Sequence, residues 1–378
     1  MFHIVFSADE NYIKYLSVLL TSIIKYTDRS KTFENYVSGG GDLAQKLQNK
    51  KCDKSEGYVF HILSDALSQE TQNKLQLLQN ELSLIYPCEI CIHCVDESMF
   101  IGMCKWGFEK QKNYSTYYRL TLSHIIPQDI EKCLYLDVDM LVLCDLRELF
   151  AIDLGGCIAG VNEAGIPNDL RPESLILESI KEQNVDSGFD IGKKHIPYYF
   201  CAGLMLLNMP LYRVNNIESQ CLEFLKTYKP LYLDQDALNV VLNGRTKILP
   251  PEYGLALHYL CGISNTQSIQ EYVNTYMQIL PYTKIAHYNA CAKPWRTPAQ
   301  NIKSHKKLVI FHPYYKQWWD IALQTPVFNT ELKKIKISHY NPFSFCLALI
   351  IFVLKFTEKY YIRPFAKKIK TIMHSKKS

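Results

Sequence analysis

The stretch "YLDVDMLV", Tyr135 to Val142, decides how this chain folds, because it places two carboxylates inside an apolar run. Charged groups that leave water are strongly destabilised unless they are paired or bound to a cation. Residues i and i+2 of a strand point to the same face, so Asp137 and Asp139 are predicted to lie side by side at the carboxyl end of a strand. Ligands bind beyond that end in open α/β sheets, and paired carboxylates suit a hard divalent cation.

Apolar runs and helical patterns alternate on either side of this stretch. The segments "FHIVFS" (2–7), "YVFHILSD" (58–65) and "CEICIHCVD" (88–96) are predicted strands. The first two are each followed by apolar residues at helical spacing. Further along, "YYFCAGLMLLNM" (198–209) has a strand pattern, and "LDQDALNVVLNG" (233–244) begins a helix. This alternation predicts an α/β fold with a largely parallel sheet.

The composition is that of an ordinary globular protein, with 378 residues, 48% of them hydrophobic, and a net charge of only +5. That charge does not indicate a nucleic-acid partner. The first residues lack the pattern of a signal peptide, and the thirteen cysteines are an odd number. We therefore expect free thiols in a reducing cytoplasm. Cys88, Cys91 and Cys94 are close in sequence, but the alternation around them favours a plain strand over a zinc site.

The C-terminal end differs in character from the rest. The apolar run Phe343 to Leu354 has 12 residues, whereas a membrane-spanning helix needs about 20. After it, residues 355–378 contain eight Lys or Arg and one acid. Apolar surface beside basic charge favours a helix at an anionic membrane surface, and the alternative is a core-packed helix with a solvated basic end. We divide the chain into a domain at 1–332, with a polar, Gly-containing surface insertion at 31–57, and a membrane-interface tail at 333–378.

Other polar residues stand at apolar junctions further along the chain. Asp234, Gln235 and Asp236 open a predicted helix, where acids favour the helix dipole. His287 ends an apolar segment, and Lys293 follows it in a loop. Taken singly, each of these residues has an ordinary structural explanation.

The sequence motifs that contain these residues are, taken together, far more specific than the pair of aspartates alone. "VFSADENYIKYL", "STYYRL", "LYLDVDMLV", "YFCAGLMLLN", "LDQDALN" and "HYNACAKPW" occur in an order that resembles glycosyltransferase family 8. The resemblance covers about residues 1 to 320 and is closest to bacterial lipopolysaccharide and lipo-oligosaccharide α-galactosyl- and α-glucosyltransferases. It implies a GT-A fold, a single Rossmann-like α/β domain with a mixed, mostly parallel central sheet. It also implies UDP-galactose or UDP-glucose as donor and Mn²⁺ or Mg²⁺ as cofactor.

The resemblance also implies roles for individual residues. Those that would hold the uridine are Ser7, Asp9, Asn11 and Tyr12. The metal ligands would be Asp137, Asp139 and His287. The donor sugar would contact Arg119, Asp234 and Asp236, and Lys293 would neutralise the diphosphate. The remaining donor-binding positions are Val138, Cys201 and Ala290, and Gln235 is placed as a candidate nucleophile.

This sequence departs from the family pattern at two of these positions. Cys201 stands where many members have an Asn that contacts the sugar, and a thiol is a weaker hydrogen-bonding group than an amide. Ala290 and Cys291 stand where a Gly-Pro pair is common. Both departures bear on how the donor is held.

The expected activity is retaining, metal-dependent transfer of a hexose to a lipid-linked oligosaccharide acceptor, on the inner face of the cytoplasmic membrane. One alternative is a non-catalytic, membrane-associated sugar-binding protein. Another is a haloacid-dehalogenase-type phosphatase, which also uses a D-x-D after an apolar strand. That motif normally lies on the first strand of its fold and has Thr or Val where Leu141 stands here.

Overall fold

A mixed β-sheet forms the centre of the molecule in the computed structural model of the chain. The residues that the structure describes are 1–37, 56–105, 113–164, 176, 196, 198–256, 274–289, 293–297 and 313–358. The strands within these residues are β1 (Phe2–Ser7), β2 (Tyr58–Ser64), β3 (Cys88–Cys94), β4 (Lys132–Leu136), β5 (Met140–Val142), β6 (Ala159–Glu163), β7 (Phe200–Asn208), β8 (Thr246–Ile248), β9 (Tyr253–Ala256) and β10 (Ile285–His287).

Seven of these strands make one sheet in the order β3-β2-β1-β4-β7-β6-β8. The first four strands in that order are mutually parallel, and β7 is antiparallel to both of its neighbours. Parallel strands need crossover connections, which here contain α-helices. The helices in the described parts are α1 (Ile13–Tyr26), α2 (Glu34–Val37), α3 (Gln69–Ser83), α4 (Leu122–Ile125), α5 (Arg147–Phe150), α6 (Met209–Val214), α7 (Ile217–Thr227), α8 (Leu233–Leu242), α9 (Tyr315–Ala322), α10 (Asn329–His339) and α11 (Pro342–Thr357). The predicted mixed, mostly parallel sheet is thereby confirmed.

The sheet is buried on both faces, and the side-chain alternation of its strands shows why. In β1, Ile4 and Phe6 join one apolar cluster, whereas Val5 joins the other. In β4, Leu134 belongs to the first cluster and Tyr135 to the second. A strand covered on both faces is apolar at nearly every position, which explains the continuous apolar runs in the sequence.

The strand predicted across the two aspartates is in fact two strands. β4 ends at Leu136, and β5 begins at Met140 in a separate three-stranded sheet of order β5-β10-β9. Asp137 and Asp139 therefore lie in the turn that joins the two sheets. The prediction that they lie side by side on one strand face is wrong, because the apolar residues after the pair bury themselves against β10 rather than continuing β4.

Several local predictions have clear outcomes. The strand at Cys88–Cys94 is confirmed, and its cysteines are free thiols. The segment from Ser115 is a 3₁₀ helix (Ser115–Leu120) followed by the short α4. For the predicted insertion at 31–57, the structure describes the two ends, including α2, while residues 38–55 lie outside the described residues.

The two ends of that insertion are tied to the core by one buried side chain. Arg147 in α5 donates hydrogen bonds to the backbone oxygens of Asp28, just before the insertion, and of Lys31, its first residue. It also forms ion pairs with Asp145 (2.6 Å) and with Glu56 (2.8 Å), which lies at the other end of the insertion. The predicted insertion thus leaves and re-enters the core at a single buried charge network.

The C-terminal helices extend the packed region past residue 332. The hydroxyl of Tyr340 donates to the Pro294 oxygen (2.7 Å), and the predicted boundary at 332/333 lies inside α10. No single helix among the described residues is long and apolar enough to cross a membrane. One pair bent by 52°, Asn329–His339 with Pro342–Leu354, reaches that standard by length and composition only.

Candidate active site

The candidate site lies where β4, at the edge of the parallel group β3-β2-β1-β4, pairs with the antiparallel strand β7. The backbone N–H of Asp137, one residue beyond β4, donates to the Gly203 oxygen of β7 (2.8 Å). The turn Asp137-Val138-Asp139 then enters the second sheet through β5. The space beyond the carboxyl ends of strands is a common ligand-binding position in open α/β folds.

Three potential metal ligands converge at this turn. One ligand atom each from Asp137, Asp139 and His287 lies within 4.8 Å of the others, and theirs is the sole such cluster among the residues that the structure places. His287 Nε2 is 3.2 Å from Asp139 Oδ1 and 3.7 Å from Asp137 Oδ2. Two carboxylates and an imidazole are a donor set that suits a divalent cation.

The second sheet brings His287 to the aspartates. Its strand β10 pairs antiparallel to β5, with His287 opposite Met140. The imidazole is 2% exposed, yet Nε2 has no hydrogen-bond partner of acceptable geometry among the described residues. Such atoms are rare in folded proteins. A nitrogen without a partner that faces two carboxylates fits a metal ligand.

Gly203 forms one wall of this cluster. A Cβ atom at that position would lie 2.5 Å from His287 Cε1 and 2.7 Å from Asp137 Oδ2. Glycine is therefore required here by the close approach of β7 to the ligand side chains. The sequence reading did not single out Gly203, because its neighbours in space come from β10 and from the turn after β4.

Charge at the cluster is balanced within the chain. The ammonium of Lys293 contacts Asp139 Oδ2, and Lys293 also donates to the Tyr288 oxygen (2.7 Å). Burial alone would raise the pKa of Asp139, but the positive charges of Lys293 and His287 hold it well below its usual range. Burial would lower the pKa of His287, but the charge of Asp139 outweighs this and raises it to about 10. The buried carboxylate of Asp139 is thus compensated by positive groups of the chain itself.

Arg119 forms a second buried charge group beside the first. It pairs with Asp137 (2.8 Å) and Asp234 (3.0 Å), donates to the Ala202 oxygen (2.6 Å) and stacks on Tyr135, whose ring centroid is 4.6 Å away. Burial raises the pKa of Asp234 to about 6, against the opposing charge of Arg119. Arg119 therefore links the start of α8 to the metal-ligand turn.

The other two residues at the start of α8 point elsewhere. Asp236 accepts hydrogen bonds from the Tyr199 hydroxyl and the Tyr232 N–H, and it is almost fully buried. Gln235 accepts from the Ala202 N–H (3.1 Å), and its amide nitrogen donates to the Tyr199 hydroxyl (3.1 Å). Gln235 and Asp236 thus secure the beginning of β7 against α8, and Asp234 is the residue of the three that reaches Arg119.

The residues expected to hold the uridine lie at the carboxyl end of β1. The Tyr135 hydroxyl is within hydrogen-bonding distance of Ser7 Oγ (3.2 Å) and of an Asp137 carboxylate oxygen (3.1 Å). Asp9 accepts from the Tyr12 N–H (3.0 Å) and from the Asn113 side chain (3.1 Å). Asn11 is exposed, and the Tyr12 ring meets Trp295 edge-on. One hydroxyl, that of Tyr135, therefore bridges this group to the metal-ligand turn.

The remaining predicted positions have different outcomes. Val138 is buried in the turn between the aspartates. Cys201 is half-buried, with Sγ 3.8 Å from His287 Nδ1. Ala290 lies outside the described residues.

Several residues of the site escaped the sequence reading. Each of them is uncharged and contacts a predicted site residue. They are Asn113, Thr116, Tyr135, Tyr199 and Gly203. Tyr135 is the one that a signal could have found, since it lies between two leucines and is two residues from Asp137.

Comparison with known proteins agrees with this geometry. Residues 3–299 match the family model described as glycosyl transferase family 8. The chain is 25% identical over 323 residues to general stress protein A of Bacillus subtilis, covering 84% of this chain and 94% of that protein. It is 23% identical over 314 residues to the lipopolysaccharide 1,3-galactosyltransferase of Salmonella typhimurium, covering 80% and 82% respectively.

Among solved structures, the chain is similar to the galactosyltransferase LgtC in complex with donor and acceptor sugar analogues. The TM-score is 0.57 at 21% identity, covering 88% of this chain and 99% of that one. At this identity the likeness bears on the fold alone. The expected GT-A architecture is thereby confirmed.

Proposed function

This chain belongs to glycosyltransferase family 8, and we propose that it is a retaining, metal-dependent hexosyltransferase. It would move galactose or glucose from the corresponding UDP-sugar to a lipopolysaccharide or lipo-oligosaccharide core acceptor. The observation that carries the proposal is the convergence of Asp137, Asp139 and His287, with a buried Nε2 that has no hydrogen-bond partner among the described residues. The activity named for the Salmonella relative supports the acceptor class. The family match leaves no support for the phosphatase alternative.

The three ligands would hold Mn²⁺ or Mg²⁺ at the end of β4. Such an ion, when bound, would neutralise negative charge on the diphosphate leaving group. The other charged residues are arranged to support the ligands. Arg119 fixes one oxygen of Asp137, while Lys293 brings a positive charge to Asp139, where it can turn to the donor phosphates. Fixed charges that are in place before the reaction stabilise developing charge most effectively.

The uridine end of the donor would lie over the carboxyl end of β1. Ser7 and Asp9 are half-buried there, and Asn11 is exposed beside them. The Tyr12 ring offers an aromatic surface for a base. Because the Tyr135 hydroxyl contacts both Ser7 and Asp137, this side chain sets the spacing between the nucleoside pocket and the metal ligands.

Retention of configuration would proceed by attack on the same face of the sugar as the departing diphosphate. In this step the acceptor oxygen bonds to the anomeric carbon, the bond to the diphosphate oxygen breaks, and that oxygen takes the acceptor's proton. Gln235 is an unsuitable nucleophile, because its amide is a neutral group whose oxygen and nitrogen already bond to Ala202 and Tyr199. Asp234 and Arg119 would orient the sugar instead.

The tail would place the enzyme near a lipid-linked acceptor. Helix α11 leaves large apolar side chains in solvent, with Phe343 76% exposed and Leu354 64% exposed. The sequence that follows is strongly basic. An apolar face next to basic charge is what binding to an anionic leaflet requires. These features support our proposal that the enzyme acts at the inner face of the cytoplasmic membrane.

Release of UDP tests this function. Purified full-length chain with Mn²⁺ should release UDP from UDP-galactose or UDP-glucose, and truncated lipid A–core acceptors should accelerate the release. Asp139→Asn should abolish it, whereas Asp153→Asn, a surface change in the turn before β6, should not. No UDP release from either sugar, with or without acceptor, would support the sugar-binding protein instead.

A further inference from the structure

The thiol of Cys201 faces the imidazole of His287. Its Sγ lies 3.8 Å from Nδ1, the ring nitrogen that points away from the two aspartates. On its other side, the side-chain amide of Asn289 donates to the same sulfur (3.8 Å). Sulfur is a large atom, and both distances are within its hydrogen-bonding range. Among the described residues, Cys201 is the recorded hydrogen-bond partner of His287 Nδ1.

The backbone around Cys201 is held firmly in place. Phe200, the residue before it, exchanges two hydrogen bonds with the side chain of Asn239 (2.8 and 3.0 Å). Ala202, the residue after it, donates its N–H to Gln235. Both partners belong to α8. The thiol is therefore presented to His287 from a segment of β7 that is fixed on either side.

The chemistry of a neutral imidazole gives this contact a function. A histidine that offers the lone pair of Nε2 to a metal must carry its proton on Nδ1. A buried N–H needs an acceptor, and metal-binding histidines are usually oriented by one. A cysteine sulfur can accept a hydrogen bond, although weakly. The structure provides this sulfur where a carboxylate or carbonyl oxygen is usual.

We propose that Cys201 is a positioning residue for the metal site. It accepts the N–H of His287 Nδ1, with Asn289 supporting the sulfur, and so directs Nε2 at the cation. The proposal rests on the metal-dependent function above, and it adds to that function a residue that acts through His287. It also differs from the role that the family resemblance implies for Cys201, which is contact with the donor sugar.

The two roles predict different measurements. Binding of Mn²⁺ alone, followed by electron paramagnetic resonance of the free ion, reports on positioning. The KM for the UDP-sugar at saturating Mn²⁺ reports on sugar contact. Positioning predicts that Cys201→Ala weakens Mn²⁺ binding by about 10-fold or more and leaves the KM for the donor within about twofold of the wild type at saturating metal.

Cys201→Ser, whose hydroxyl can also accept a hydrogen bond, should recover part of the Mn²⁺ affinity. Cys157→Ala, a half-buried cysteine in the turn before β6, is the matched control and should bind as the wild type does.

The outcomes separate this proposal from the function on which it rests. Failure of the wild-type chain to bind Mn²⁺, with or without UDP, would overturn both. Normal Mn²⁺ binding by the wild type and equal affinity in Cys201→Ala would overturn the positioning role alone. A raised KM for the donor in that variant, with unchanged metal affinity, would do the same and restore the sugar-contact role. Should Cys201→Ala fail to fold, Cys201→Ser bears the test, because full loss of Mn²⁺ affinity in that folded variant contradicts the proposal.

Discussion

The ammonium group of Lys293 contacts one carboxylate oxygen of Asp139, and the other oxygen of that carboxylate is 3.2 Å from His287 Nε2. Asp139 thus lies between a positive charge on the loop after β10 and a potential metal ligand on β10 itself. In the chain alone, Lys293 stabilises the carboxylate that a divalent ion would need. A donor diphosphate offers the same ammonium a second partner. We therefore expect binding of the metal and binding of the donor to be coupled through this lysine.

Gly203→Ala tests the close packing of β7 against the ligands. The added methyl would meet His287 and Asp137 at distances that no side chain tolerates without movement. We expect Mn²⁺ affinity to fall by about 10-fold or more, because the displaced groups are the ligands themselves. Gly156→Ala is the control, since a Cβ there meets open space. Calorimetric titration of both variants gives the comparison, and full Mn²⁺ affinity in Gly203→Ala would contradict the assigned geometry.

Gln235→Ala tests whether the acceptor attacks on the same face as the leaving group or a covalent intermediate forms on Gln235. Loss of an obligatory nucleophile can lower kcat about 10⁶-fold. If attack occurs on the same face as the leaving group, this variant loses only the contacts to Ala202 and Tyr199. We expect kcat to fall by less than about 10-fold, measured as UDP release at saturating donor and acceptor. A loss as large as that of Asp139→Asn would instead indicate a covalent intermediate.

A chain of three histidines across the parallel strands makes stability depend on pH. His61 hydrogen-bonds to His3 and His93, each at 2.9 Å, and burial together with these two neighbours lowers its pKa to about 3. The unfolded chain therefore binds more protons than the folded one between about pH 6.5 and pH 3. Stability from this group is complete above pH 6.5 and falls as the pH drops through that window. Urea unfolding should show a slope of up to about 1.4 kcal/mol per pH unit.

The variant His61→Gln removes that titration while keeping a polar side chain. Its unfolding free energy should change less between pH 7 and pH 5 than that of the wild type. His339→Gln is the control, because His339 lies at the end of α10, where its ring bonds to the Trp295 oxygen. Equal pH slopes in the wild type and His61→Gln would show that the histidine chain is not responsible.

We propose that the tail at 333–378 binds the enzyme to an anionic membrane surface. Truncation after Asn341 removes α11 and the basic segment but keeps the contact between Tyr340 and Pro294. The truncated protein should stay folded and no longer float with vesicles that contain phosphatidylglycerol. Replacing Lys367, Lys368 and Lys370 by Gln should weaken flotation by about 1 kcal/mol for each residue near the surface. Flotation of the truncated protein at the full-length level would exclude the tail as the membrane contact.

The sequence predicted the residues of the site better than it predicted their local geometry. Asp137 and Asp139 were expected together because side chains alternate along a strand, and they do converge, but in a turn between two sheets. An apolar run shows that its residues are buried, not which sheet buries them. The pairing of Met140 with His287 depends on a strand far along the chain, which no local pattern specifies.

The residues that the sequence could not reveal are those that act by shape or through a partner. Gly203 matters because it has no side chain where two others meet. Tyr199 matters because its hydroxyl joins Gln235 to Asp236. By contrast, Arg119, Asp234 and Lys293 belong to the quoted motifs, and the family resemblance implied their roles, although each residue taken singly has an ordinary structural explanation.

The most direct test of this account is the affinity of the full-length chain for Mn²⁺, measured by electron paramagnetic resonance with and without UDP. The account predicts binding that UDP tightens by at least about 10-fold, that Asp139→Asn abolishes, and that depends less on UDP in Lys293→Met. Lys316→Met, which breaks an exposed ion pair with Asp320 in α9, should behave as the wild type does. Mn²⁺ binding that is unaffected by Asp139→Asn, or no binding in the presence of UDP, would contradict the assignment of Asp137, Asp139 and His287 as the metal site.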